Sequence, residues 1–225
     1  MPYQHLTSRC LAAAVVLTLT LPPAMAGDTV SDSITTLQHD WAVTNYDTPE
    51  KQRAAAFDAL IQRASALAAQ HPDRQEPRVW EAICLAGYAD SVGGLSSLTK
   101  ALPAVKHARE LLMQAADLEP HTMDSSVYGT LGVLYHNVPG WPLGYGDDKQ
   151  ARAFLRRAVS IDPDGIDSNY FYGRYLLDKK DYEAAVQHLR RALDASPRPQ
   201  RPLADAGRRD EIRQALQEAR KHLDG

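Results

Sequence analysis

The chain has 225 residues, 24% of them charged and 44% apolar, and carries a formal net charge of −3. That length supports a well-packed core. The mildly acidic balance offers no basic excess for nucleic acid or an anionic membrane surface.

Along the chain, Arg9 precedes an apolar run from Leu11 to Leu21, then Pro22, Pro23 and Ala24-Met25-Ala26. A basic residue, a short apolar core and an Ala-x-Ala end predict a secretory signal peptide over 1–26, cut before Gly27. The run is shorter than the roughly 20 residues a spanning helix needs. Cys10 lies ahead of the apolar core and leaves with it, so no lipidation cysteine stands at the cleavage site. Cys84 then has no partner for a disulfide and, beside Ile83, Leu85 and Ala86, reads as a buried thiol. Removing the signal takes away one Arg and no acid, which makes the exported chain one unit more negative. Residues 27–225 are expected to form one helical domain.

Within it, Gly27 to Ser33 reads as polar and flexible. A first helix over Ile34 to Asn45 carries Leu37 and Trp41 on one stripe. Pro49 opens a second, with Phe57, Leu60, Ile61, Ala64 and Leu67 at helical spacing, and His71-Pro72 ends it. A second pair runs from Pro77 to Leu118, with Trp80, Ile83, Gly87 and Tyr88 in its first helix and Ala108, Leu112 and Ala115 in its second. The third pair starts near Met123 with Tyr128, Leu131, Gly132 and Tyr135, and its partner, Asp147 to Ile161, carries Ala151, Leu155 and Ala158. The fourth runs from Ile166 to Pro197. After the stiff connector Arg198-Pro-Gln-Arg-Pro202, a capping helix from Ala206 to Leu223 presents Ile212, Leu216, Ala219 and Leu223. No run alternates with period 2, so the predicted fold is all-α.

These hairpins repeat. Gly173, Ala185, Ala192 and Pro197 sit at offsets 8, 20, 27 and 32 of a unit starting at Ile166, and Ala151, Ala158 and Pro163 fall on the same offsets 34 residues earlier. Ala108, Ala115 and Pro120 make a third copy. Two antiparallel helices approach closely only where side chains are small, and a proline ends the second. This is the pattern of a tetratricopeptide repeat, so the chain resembles a tetratricopeptide hairpin array of about four units. Such an array is a binding scaffold.

Specificity in a repeat protein sits in its irregularities. The insertion Asn137 to Gly146 holds Trp141 and Tyr145 on a Pro/Gly-fixed path, where they either wall a ligand cavity or plug the core. Taking Gly87 as offset 8, the second unit has about nine extra residues centred on 91–97; the stretch Gly93 to Leu98 is a binding loop or a long turn. Offsets 2, 5, 9 and 12 of each first helix line the concave side: Asp167, Tyr170, Arg174 and Leu177 in the fourth unit, Val133 and His136 in the third, Tyr88 in the second. Arg174 either holds an organic anion or pairs with Asp167 or Asp178. No catalytic constellation, phosphate-cradling loop or Cys/His metal cluster is present, so neither an enzyme, a cofactor nor a metal site is expected.

The stretch Pro139-Gly-Trp-Pro-Leu-Gly-Tyr-Gly-Asp147, then Ala151 to Pro163 and Asn169-Tyr-Phe-Tyr-Gly173, is similar to the exported proteins that include the T component of TRAP transporters, the TatT family. The similarity covers about half of the chain, and Pro-Gly-Trp-Pro is its most specific part. It implies a periplasmic protein whose hairpins surround a ligand-accessible pore or cleft, with Trp141, Tyr145, Asn169, Tyr170 and Tyr172 near it. It further implies a periplasmic solute-binding protein as partner, a small organic-acid or apolar-tailed ligand, and assembly as a homo-oligomer such as a trimer. The better-known members are lipoproteins, from which this chain departs. The alternative role is a general envelope scaffold gripping a protein or peptide segment without a small ligand.

Overall fold

A computed structural model describes residues 29–92, 97–118 and 121–223. The expected signal peptide, residues 93–96 of the glycine-serine insertion and Pro120 of the third repeat copy lie outside the described residues. Among the described residues there are nine α-helices and no strand: α1 (Thr29–Ala42), α2 (Glu50–Gln70), α3 (Gln75–Ser91), α4 (Leu102–Ala116), α5 (Asp124–Asn137), α6 (Asp148–Ile161), α7 (Ile166–Asp178), α8 (Tyr182–Asp194) and α9 (Pro202–Leu223). One π-helical turn, Val43–Asp47, extends α1, and another, Ser97–Ala101, leads into α4. The chain is an all-α array of tetratricopeptide-like hairpins.

Small residues close the third and fourth hairpins. A Cβ on Gly173 would stand 2.8 Å from Leu189 Cγ, and one on Gly132 would overlap Leu155. Local signals set the turns. Asp147 Oδ1 accepts from Gln150 N at 2.9 Å and caps α6. At the α7–α8 turn, Asp181 N donates to Leu176 O and Lys180 N to Leu177 O, a Schellman closure with Lys180 left-handed at φ 62°.

Three predicted boundaries shift. Helix α1 begins at Thr29, so the stretch read as flexible is helical there, with Val30, Ile34, Leu37 and Trp41 buried on one stripe. Its Ser and Thr residues mask the signal, because hydroxyls are weak helix formers; Thr35 and Thr36 instead donate back to Ser31 O and Asp32 O. Helix α9 starts at Pro202, four residues earlier than expected, with proline in the first turn where its missing N–H is harmless.

The third correction is one of register. Helix α3 starts at Gln75, as α7 starts at Ile166, so Ala82 falls where Gly173 falls. Ala82 is fully buried in the cluster built with α4, whereas a Cβ on Gly87 would meet Phe57 of α2. Gly87 therefore serves the packing between units, and the insertion after α3 is about five residues longer than the Gly87 register implied. Gln75, itself fully buried, clamps three helix ends: its Nε2 donates to Ala115 O and Asp124 Oδ1, and its Oε1 accepts from Met123 N.

The array closes on itself. Successive units pack through α2–α3, α4–α5 and α6–α7, and α9 covers α8 with Ile212, Ala215, Leu216 and Ala219. The amino-terminal part of α9 also reaches the first unit, where Ala204 and Leu203 join Trp41, Phe57 and Trp80. Tyr46 completes the junction, lying against Gly207 and donating to Glu211 Oε2 at 3.4 Å. First and last helices thus touch across the concave side. No helix among the described residues is long and apolar enough to cross a membrane.

Candidate functional site: two cavities inside the closed array

Two cavities border the junction of α1 and α9. One, of about 890 Å³, is lined by Trp41, Trp80, the start of α5, the α6–α7 turn and Arg198 and Arg201 of the connector. The other, of about 650 Å³, lies among α3, α5, α7 and the start of α4. Trp41, Ile83, Thr130, Phe171 and Arg208 line both, so these residues form their common wall.

Of the eight residues singled out in the sequence, the structure brings His136, Tyr170 and Arg174 together on the smaller cavity. All three are already engaged. His136 Nε2 meets Asp178 Oδ2 at 2.9 Å, and Arg174 pairs with Glu218 at 2.9 Å and Asp178 at 3.6 Å. The Tyr170 ring lies 4.4 Å beneath the Arg208 guanidinium.

The other five line neither cavity. Trp141 is 90% exposed, on a loop whose Trp141–Pro142 peptide is cis; it neither walls a cavity nor plugs the core. Tyr145 does fill the core edge. Its hydroxyl donates to Val105 O at 2.8 Å, its ring packs on Tyr135, and Arg109 covers it at 4.7 Å. Burial pushes its phenol pKa well up. Asn169 is fully buried and spends its amide on Pro163 O and Gly165 O, with Oδ1 facing His188 Nδ1 at 2.9 Å. Tyr172 stacks on Tyr175 and meets His188 edge-on. Tyr88 packs among core side chains. Its expected place in the groove followed from the Gly87 register; with Ala82 at offset 8, offsets 9 and 12 are Ile83 and Ala86, and both line the smaller cavity.

A charge network stands at the junction of the cavities. Asp167 Oδ1 accepts from Arg208 Nε at 2.8 Å and Oδ2 from Arg198 Nη1 at 2.7 Å. Arg198 also binds Asp205 through its backbone N–H and side chain, and Arg208 reaches Glu211 at 2.5 Å. Burial opposes the Asp167 charge, but Arg208, Arg198 and Arg201 outweigh it and hold its pKa far below the ordinary carboxylate value. Burial pushes the Glu211 pKa up, against the pull of Arg208.

Among the described residues, three buried side-chain donors have no acceptor: Trp41 Nε1, Trp80 Nε1 and Arg201 Nε. All three residues line the larger cavity. They adjoin one another, with the Trp41 and Trp80 rings 6.3 Å apart and Arg201 Cζ 5.3 Å from the Trp80 ring. Leaving a buried donor unsatisfied costs about 1–3 kcal/mol, and each such group in a folded protein calls for a reason. Sequence reasoning missed this cluster. Trp41 and Trp80 read as core positions, and Arg201 sits in a connector whose return to the first unit has no local signal.

Cys84, fully buried, has its thiol pushed up to about 12 by burial, which leaves it inert. No group of three or more His, Cys, Asp or Glu residues among the described residues could hold a metal ion. No curated protein matches the chain. A tetratricopeptide repeat family model matches residues 166–199, the α7–α8 hairpin and the turn after it, so the chain contains a tetratricopeptide repeat, the building block of interaction and adaptor scaffolds.

Proposed function

We propose that this protein is a non-enzymatic, exported periplasmic adaptor that holds a small organic ligand inside its closed hairpin array. In this reading it works beside a solute-binding protein, as the T component of TRAP-type uptake does. The supporting observation is the contact of α9 with α1 and the Val43–Asp47 turn. An open concave groove grips a peptide or helix of a partner, whereas here Trp41 and Tyr46 meet the amino-terminal part of α9 beside the cavities. What remains are cavities of about 890 and 650 Å³, the size of small-molecule sites.

A protein partner then docks on the outside. Trp141 and Leu143 offer it a rigid apolar tip, at 90% and 60% exposure, and Leu143 also borders the smaller cavity.

Native mass spectrometry of the protein gently isolated from the periplasmic fraction tests this reading. The expected result is a mature chain starting at Gly27 that retains a small molecule. A bare chain carrying only a protein partner would favour the envelope scaffold instead, and an uncleaved cytoplasmic chain would overturn export.

A further inference from the structure

We infer that the smaller cavity takes an uncharged molecule with an apolar body, of the class of a medium-chain alcohol or amide, and turns away organic acids because the cations on its wall are already matched by carboxylates. This deepens the ligand-binding reading above and rests on it.

The walls differ between the two cavities. Ile83, Ala86, Val105, Val133, Leu155 and Phe171 give the smaller one, of about 650 Å³, an apolar lining for a ligand's body. Asn45, Thr130 and Asn137 add neutral hydrogen-bonding groups that suit a hydroxyl or amide head. The larger cavity is polar by contrast, with Asp124, Asp162, Asp164, Asp167 and Asp194 lining it beside Arg191, Arg198, Arg201 and Arg208.

Charge then decides between an acid and a neutral head. Among the described residues, the arginines lining the smaller cavity are Arg174 and Arg208. Arg174 pairs with Asp178 and Glu218, and Arg208 with Asp167 and Glu211. His136 faces the same Asp178 at 2.9 Å. Asp90, Asp178 and Glu211 all line the cavity, so its carboxylates outnumber its guanidinium groups. An organic anion seated here would give up its water, find no cation to itself and meet a wall of like charge. Desolvating an unpaired carboxylate costs far more than desolvating a hydroxyl or an amide, so the uncharged head wins. Arg174, the groove cation that the repeat offsets bring forward for an anion, is thus the residue whose partners exclude one.

The chain has three tryptophans; Trp141 is the exposed one, and Trp41 lines the smaller cavity. In the Trp141→Phe variant, tryptophan emission therefore reports on Trp41 and Trp80. The experiment titrates that variant with octanol, octanamide and octanoate at low salt and about pH 8, where the acid is ionised. The expected outcome is a saturable emission change, with octanol and octanamide binding at least about tenfold tighter than octanoate. Ala86→Phe puts a ring on the wall of this cavity and not of the larger one, and should abolish the octanol response. Asp178→Asn with Glu218→Gln releases Arg174 and should tighten octanoate by about threefold while leaving octanol unchanged. Octanoate binding as tight as octanol, silence toward octanol, an octanol response that survives Ala86→Phe, or an octanoate affinity unmoved by the release of Arg174 would overturn the inference. The comparison of the three compounds needs no change at the cavity, so it decides even if Ala86→Phe fails to fold. Preferred octanoate binding leaves the ligand-holding function standing and removes only this ligand class. Silence toward all three compounds, combined with a ligand-free protein in native mass spectrometry, removes both.

Discussion

Chemical type alone ranks Arg174 and Arg201 as equals, and Trp141 and Tyr145 as equals; partners separate them. Arg174 is ion-paired with two carboxylates, while Arg201 makes no ion pair among the described residues and lies over the Trp80 ring. Tyr145 is tied to Val105 O, while Trp141 stands in solvent. The aromatic pair gives a direct test. Tyr145→Phe removes a partly buried hydrogen bond and should lower stability by about 1 kcal/mol. Trp141→Ala should change it by no more than about 0.5 kcal/mol, as at other exposed positions. Urea unfolding of the two variants measures both, and a larger loss for Trp141→Ala would mean that the loop does brace the core.

At the scale of elements, the sequence was legible wherever periodicity and a breaker coincide. The α5–α6 and α7–α8 hairpins follow from Gly132 and Gly173 with Ala151, Ala158, Ala185 and Ala192, because close helix contact demands small residues there. The second unit was misread because it holds two small residues five apart, Ala82 and Gly87, and only packing tells which one faces α4 and which one faces Phe57. That single ambiguity put Tyr88 in the groove and left Ile83 out of it. The reach of α9 to α1 was invisible for another reason: its contacts join residues more than 150 positions apart, such as Tyr46 and Glu211. The α7–α8 turn supplies the test at this scale. Lys180 occupies a left-handed conformation at φ 62°, where its Cβ is crowded. Glycine relieves that crowding, and the extra freedom it gives the unfolded chain offsets part of the gain. Lys180→Gly should therefore stabilise the protein by about 0.5–1 kcal/mol, read as a higher urea midpoint. A loss of stability would show that the Lys180 side chain contributes more than its backbone costs.

For the whole molecule, the question is what holds the array shut. Arg208 of α9 is 8% exposed, binds Asp167 of α7 and Glu211, and covers Tyr170 and Phe171 at 4.4 and 4.9 Å. It thus joins α9 to α7 in the wall common to both cavities. Arg208→Met keeps much of the packing volume but removes the charge, leaving Asp167 with Arg198 and Glu211 without a cation. Breaking a buried pair by removing one partner costs about 3–5 kcal/mol. The loss should depend on pH in a definite direction. Burial already raises the Glu211 pKa, and without Arg208 it rises further. A folded state whose carboxylate binds its proton more tightly than the unfolded chain gains stability as pH falls through the folded pKa. Arg208→Met should therefore recover part of its lost stability between pH 7 and pH 5, gaining more over that range than the wild type, in which Arg208 limits the rise of the Glu211 pKa. Small-angle scattering at pH 7 should show a larger radius of gyration for the variant, as α9 releases α1. If the variant stays compact and its stability is flat between pH 7 and 5, the closure is carried by the apolar contacts of Leu203, Ala204 and Tyr46 alone.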